Sequence, residues 1–171
     1  AVLKKAMHIA EDDARANREM GKRGADFLLK KTGKNRLRIL THCNTGALAT
    51  TEWGTAFGVI RELHERNAIE EVFADETRPL LQGSRLTAWE LSEAKIPYRI
   101  LPDGAAASAL FAGLIDAVLI GADRIARARR NAPPRSATHR ADEWQHRRGA
   151  RDARSGAGHS DHACDAGERH R

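Results

Sequence analysis

Four short apolar runs, separated by stretches long enough for a helix, limit what this 171-residue chain can fold into. Leu37-Arg38-Ile39-Leu40, Glu71-Val72-Phe73-Ala74, Tyr98-Arg99-Ile100-Leu101 and Asp116-Ala117-Val118-Leu119-Ile120 read as strands. The third is entered through Pro97, which favours extended backbone before it. Between the runs, Glu52 to Arg66 reads as helix with Phe57, Ile60, Leu63 and His64 on one side. Gly83 to Ala94 reads as a second helix, with Leu86, Trp89 or Glu90, and Leu91 repeating. Ala105 to Ala112 reads as a short third helix. Strands alternating with helices of this length predict βαβ units and a parallel, doubly wound α/β sheet. No internal repeat is visible.

The ends of the chain differ from this middle. Ala1 to Met20 carries Leu3, Ala6, Ile9 and Ala10 at helical spacing. Gly21 and Gly24 are expected to interrupt that helix, Ala25 to Lys31 to resume it, and Gly33 to stop it. From Arg127 to Arg171 there is no Leu, Ile, Val, Phe, Met or Lys, although Lys occurs seven times earlier. Such a stretch cannot bury enough apolar area to offset its ordering entropy, so it reads as a disordered tail. It holds eleven Arg and six acids, whereas the rest holds 18 basic and 17 acidic residues. Of the net charge of +6, +5 therefore sits in the tail and +1 in the rest, which argues against a nucleic-acid-binding body.

Two readings of the tail compete. One is a natural basic arm for nucleic acid. The other is loss of the reading frame near Arg127, which in a GC-rich gene yields Arg-, Ala- and Gly-rich text. The abruptness of the change favours frame loss, and resequencing the coding DNA decides it. The expected divisions are a helical segment at 1–34, a partial α/β domain at 35–126 and the tail at 127–171. The first residue is not Met, so the chain reads as a fragment. Cys43 and Cys164 form no CxxC pattern, which points to a reducing compartment. The first residues lack the apolar core of a signal peptide, and the longest apolar run, Ala117 to Ala122, is too short to cross a bilayer. The expectation is a cytoplasmic protein with no membrane partner.

Chemistry-bearing residues follow three of the four runs. The first leads into Thr41-His42-Cys43-Asn44-Thr45-Gly46-Ala47-Leu48-Ala49-Thr50. The second leads into Asp75-Glu76-Thr77-Arg78-Pro79 and then Gln82-Gly83-Ser84-Arg85. The fourth leads into Gly121-Ala122-Asp123-Arg124. In a parallel sheet these carboxyl ends line the ligand crevice, where backbone N–H groups meet anions. Gly46 would let the backbone approach an anion, while Asn44 and Thr45 supply donors without bulk. Cys43 is expected at a helix start, where the positive dipole end favours a thiolate; its bland alternative is buried filler. Asp123 follows an apolar run and is expected to be partly desolvated, as suits a general acid or base; otherwise it caps a helix. Arg78 would grip a phosphate or pair with Asp75 or Glu76. Gln82 would donate its amide to a substrate oxygen or cap a helix. His42 and His64 lack a second ligand at short spacing, so no metal site is expected. His139, His146, His159 and His162 lie in the tail and read as incidental.

These motifs, together with Arg85-Leu86-Thr87-Ala88-Trp89-Glu90-Leu91 and Gly121-Ala122-Asp123-Arg124-Ile125, closely resemble the methylthioribose-1-phosphate isomerases of methionine salvage. The resemblance covers about Ala1 to Ala126. It implies a Rossmann-like parallel sheet flanked by helices, preceded by a helical N-terminal domain. It implies an aldose-to-ketose isomerisation of 5-methylthioribose 1-phosphate without metal or other cofactor, carried out by a homodimer. By resemblance Cys43 and Asp123 are the catalytic pair and Gln82 contacts substrate.

Two related groups share parts of the pattern. The regulatory subunits of a translation-initiation exchange factor have a similar Glu-Thr/Ser-Arg-Pro and Gly-Ala-Asp framework but differ around Cys43. Ribose-1,5-bisphosphate isomerases keep Thr-His-Cys and a Gln-Gly pair. Ala47-Leu48-Ala49-Thr50 and the Arg85-to-Leu91 stretch favour the methylthioribose enzymes. The pattern also departs from them: most of the N-terminal domain is absent, and an expected Asn-Lys pair is replaced near Pro133-Pro134. The expectation is therefore an isomerase lineage whose 171-residue chain is inactive or poorly folded. The runner-up of another class is a non-catalytic interaction module with a basic arm.

Overall fold

The computed structural model describes residues 2–122. In chain order these form α1 (Val2–Thr32), β1 (Leu37–Thr41), a 3-10 turn (Ala47–Ala49), α2 (Ala56–Glu65) and β2 (Ile69–Asp75). A π-helical turn (Gly83–Thr87) leads into α3 (Ala88–Glu93), and then come β3 (Tyr98–Leu101), a 3-10 turn (Asp103–Ala105), α4 (Ala106–Phe111) and β4 (Ala117–Leu119). The four strands pair in parallel in the order β3-β2-β1-β4. This is the α/β sheet that the alternation predicts. The tail at 127–171, Asp123 and Arg124 lie outside the described residues.

Strand periodicity divides the core between the two sheet faces. On one face Leu37 and Ile39 of β1 and Val72 and Ala74 of β2 pack with Phe57, Ile60 and Leu63 of α2 and Leu91 of α3. On the other, Leu40 and Phe73 pack with Ala109 of α4 and Ile115. Burying each of these larger side chains contributes about 1.5–3 kcal/mol relative to exposure. β1 is covered on both faces and paired along both edges, with β2 on one side and β4 on the other, and the strand order reverses between β1 and β4. In open α/β sheets that point opens a crevice at the carboxyl ends.

Three expectations need correction. Gly21 and Gly24 do not interrupt α1, which runs unbroken. Both glycines lie against the elements around α2. A methyl on Gly21 would stand 2.9 Å from the Gly58 carbonyl oxygen, and one on Gly24 would stand 2.6 Å from Val59 Cγ2. Close helix packing, rather than a turn, explains them. Gly33 does end the helix, at φ +64°, with its N–H donating to Leu29 O at 3.0 Å.

The second correction concerns α2, which begins at Ala56, not Glu52. The third concerns the helix expected from Gly83: its first turn is π, with the Ala88 N–H reaching Gly83 O, and only then α. Of the two candidates for its inward face beside Leu91, Glu90 is 2% exposed and Trp89 53% exposed.

Candidate functional site

The three loops that carry polar residues follow β2, β1 and β4, which are consecutive in the sheet. Their carboxyl ends therefore adjoin, and side-chain contacts tie them together. The end of β4 runs against the β1 loop: a methyl on Gly121 would stand 2.7 Å from Thr45 Cγ2.

Cys43 sits two residues beyond β1, half-buried, with φ +62°. That left-handed conformation is uncommon outside glycine and requires surrounding support. Two threonines supply it. The Cys43 N–H donates to Thr77 Oγ1 at 2.9 Å, and Thr87 Oγ1 donates to the Cys43 carbonyl at 2.5 Å. Thr87 reaches this carbonyl from the π turn. Such turns are often found at functional sites. The sequence expectation placed Cys43 at a helix start; in the structure Asn44 to Thr55 intervene before α2.

Asn44, Thr45 and Gly46 hold this loop to its surroundings. Asn44 Nδ2 donates to Glu90 Oε1 at 3.0 Å and to Thr87 Oγ1 at 3.3 Å. Thr45 Oγ1 accepts the Phe57 N–H at 3.2 Å, capping the first turn of α2 from a distance. Gly46 lies beside the Glu90 carboxylate, which also accepts the Ala47 N–H at 2.9 Å.

Arg78 and Gln82 come from the neighbouring β2 loop. Arg78 is exposed, and no ion pair to Asp75 or Glu76 is formed; its backbone N–H donates to Asp103 Oδ2 at 2.8 Å. Asp103 Oδ1 accepts the Thr77 N–H at 2.8 Å, so this one carboxylate staples the start of the loop. The Gln82 side-chain oxygen is buried without a hydrogen-bond partner among the described residues. An unsatisfied buried amide is costly unless a ligand or water completes it.

His42 Nδ1 lies 3.1 Å from Asp75 Oδ2, and the other Asp75 oxygen is buried without a partner among the described residues. Burial pushes the Asp75 carboxyl above the usual carboxylate range; the His42 hydrogen bond and charge oppose this, and the Asp103 charge adds to it. His42, Asp75 and Asp103 each bring a ligand-capable atom within 4.8 Å of the others. They are the described residues best grouped to hold a cation, but both Asp103 oxygens are already committed to backbone N–H groups. Sequence spacing missed this group because its members are 33 and 61 positions from His42. It also missed Glu90 as a site residue. The alternation of Trp89 and Glu90 on the helix face was its one visible signal.

Of the site residues read from sequence, Cys43, Asn44, Thr45 and Gly46 share the β1 loop, and Arg78 and Gln82 lie in the loop after β2. The Cys43–Thr77 hydrogen bond joins those two loops. Asp123 follows β4, beyond the described residues.

The pattern of the initiation factor 2 subunit family (IF-2B) matches residues 1–129. A probable bifunctional methylthioribose-1-phosphate isomerase/methylthioribulose-1-phosphate dehydratase of Nocardia farcinica is 54% identical, over 73% of this chain and 23% of its own length. The methylthioribose-1-phosphate isomerase of Gloeobacter violaceus is 51% identical, over 72% of this chain and 35% of its own. This chain thus spans about a third or less of these relatives. Among solved structures, 5-methylthioribose 1-phosphate isomerase from Pyrococcus horikoshii is similar, with TM-score 0.66 and 41% identity, over 72% of this chain and 33% of that one. So is translation initiation factor eIF-2B, subunit delta, from A. fulgidus, with TM-score 0.66 and 45% identity, over 73% and 35%. A match over residues 1–129, on a parallel sheet whose polar loops adjoin, makes this chain a member of the initiation factor 2 subunit family.

Proposed function

We propose that this chain carries the Cys43 portion of an isomerase that interconverts 5-methylthioribose 1-phosphate and 5-methylthioribulose 1-phosphate in methionine salvage. The observation that carries the reading is the supported positive-φ cysteine between the β1 and β2 loops, in a chain 51% identical to the Gloeobacter violaceus isomerase.

The chemistry sets the requirements. A phosphate on C1 blocks the spontaneous ring opening of a free sugar. Opening breaks the bond from C1 to the ring oxygen and adds a proton to that oxygen. Hydrogen then passes from C2 to C1, and the 2-hydroxyl gives up its proton as the ketone forms. No oxidant is consumed. Asp123 is assigned as proton donor to the ring oxygen and Cys43 as the second group beside C1–C2. Backbone N–H groups after Cys43 and the exposed Arg78 are assigned to the phosphate, and Gln82 to a sugar hydroxyl, whose O–H donated to the buried carbonyl would satisfy it. The working form is assigned as a cytoplasmic homodimer of a longer chain. Among the described residues no helix is long and apolar enough to cross a membrane.

The likeness to the A. fulgidus subunit, at 45% identity, supports a second reading, a non-catalytic regulatory subunit. One experiment separates them. Residues 1–126 replace the matching third of the Gloeobacter violaceus enzyme, and ketose phosphate is followed by phosphorus NMR. Turnover that Cys43→Ala removes supports the isomerase. An inert graft beside an active parent favours the regulatory subunit.

A further inference from the structure

Glu90 is a carboxylate, 2% exposed, and among the described residues the hydrogen bonds it accepts come from the Cys43 loop and from Arg61. Burying a charge is costly unless it is paired and hydrogen-bonded, so its position needs a reason. Oε1 accepts from Asn44 Nδ2 at 3.0 Å. Oε2 accepts from the Ala47 N–H at 2.9 Å and from Arg61 at 3.4 Å. The guanidinium of Arg61 also lies over the rings of Trp53 and Phe57, at 5.6 and 5.1 Å from their centroids. The carboxylate is thus held by the loop on both sides of Gly46, with its countercharge supplied from α2.

Gly46 is the complement of this arrangement. A methyl there would stand 2.2 Å from Glu90 Oε1 and 2.3 Å from Oε2. Gly46 has φ −93°, which any residue adopts, so the glycine is required by space and not by backbone conformation. Thr87, three residues before Glu90 on the same helical segment, holds the Cys43 carbonyl. One helix therefore grips the loop on both sides of Asn44.

We propose that Glu90 is the positioning residue of the Cys43 loop, with Gly46 as the notch that admits its carboxylate and Arg61 as its countercharge. The functional weight of this assignment rests on Cys43 being the reacting thiol. Glu90 touches no reacting atom; it acts by setting where the Cys43 sulfur is held and how readily it is reached.

The test uses the 171-residue chain with Cys164→Ser, so that Cys43 is the one remaining thiol. The rate of Cys43 alkylation by iodoacetamide is measured from pH 6 to 9, and the unfolded fraction of each variant is obtained by urea titration. In Glu90→Gln the side-chain shape is kept, but one loop donor faces an amide NH2. The expected result is a rate change of about five-fold or more and a displaced pH profile, beyond what the unfolded fraction explains. Gly46→Ala should produce a similar change when Glu90 is present and add less than about two-fold in the Glu90→Ala background. A merely structural Glu90 would raise alkylation only in proportion to the unfolded fraction and leave the profile unmoved. Overlapping profiles for the chain and Glu90→Gln, or an undiminished effect of Gly46→Ala without Glu90, overturn the proposal. Because the readout is thiol reactivity, its failure is separate from failure of the isomerase reading, which turnover of the graft decides.

Discussion

His42 Nδ1 stands 3.1 Å from Asp75 Oδ2, joining the residue after β1 to the last residue of β2. Burial raises the Asp75 carboxyl above its ordinary value, so the folded state binds that proton more tightly than the unfolded state does. The resulting stabilisation is complete below the ordinary carboxylate value of about 3.9 and is lost as pH rises through the raised folded value. Urea unfolding of the chain and of Asp75→Asn from pH 3.5 to 7.5 checks this. The difference should move in favour of the variant as pH rises; a constant difference would contradict it.

Asp116 predicts the opposite slope. Its side chain is 6% exposed, and burial alone would raise it, but hydrogen bonds from Arg38 and Lys34 outweigh burial and hold it below the usual range. Lys34 Nζ lies 2.7 Å from Oδ1, and the Arg38 N–H donates to Oδ2 at 2.8 Å. Asp116→Ala should cost about 1–3 kcal/mol at pH 7, chiefly by leaving the Arg38 N–H and guanidinium without their acceptor. Stability from this group is present above the ordinary carboxylate value and is lost as pH falls through the lowered folded one. Chemical denaturation at pH 7 and near pH 2.5 should therefore show the penalty shrinking in acid.

The α1–α2 contact predicts that a helix-favouring change will destabilise. Gly21→Ala gains about 1 kcal/mol of helix propensity but drives a methyl against the Gly58 carbonyl oxygen at 2.9 Å. Overpacking against backbone costs about 1–3 kcal/mol, so the net effect should be a loss of stability and a lower Tm. Gly104, with nothing within 4 Å of an added methyl, is the control: Gly104→Ala should leave Tm within a degree or two.

For the proposed chemistry, the graft into the Gloeobacter violaceus enzyme carries a graded prediction. Asp123→Asn and Cys43→Ala should each lower kcat by about 100- to 10,000-fold, the usual range for a proton-transfer group. Gln82→Ala should act mainly on KM, since it removes a binding contact. Steady-state kinetics distinguish the two patterns, and a Cys43→Ala graft with unchanged kcat would remove that residue from the reaction.

Much of the fold was readable because it is written locally. Leu37–Leu40 and Tyr98–Leu101 fall in strands, and Phe57, Ile60 and Leu63 point inward together, since period and burial coincide there. The loop residues after β1 and β2 were readable for the same reason: polar and small residues follow each apolar run. Gly21 and Gly24 misled because a glycine in a helical pattern means either a break or a close neighbour, and only the neighbour distinguishes them. Gly46 reads in sequence as a close approach to an anion, and in the structure a carboxylate of the chain itself, Glu90, lies beside it.

The sequence by itself determined the alternation of strands and helices and which loops carry polar chemistry, because side-chain periodicity and turn residues act over a few positions. Only the tertiary structure decided the order β3-β2-β1-β4, the meeting of His42 with Asp75, and the placing of Glu90 rather than Trp89 against the Cys43 loop. Those pairings join residues tens of positions apart. They are selected by which faces can be buried together while most polar groups find partners, a condition that no single stretch of the chain contains.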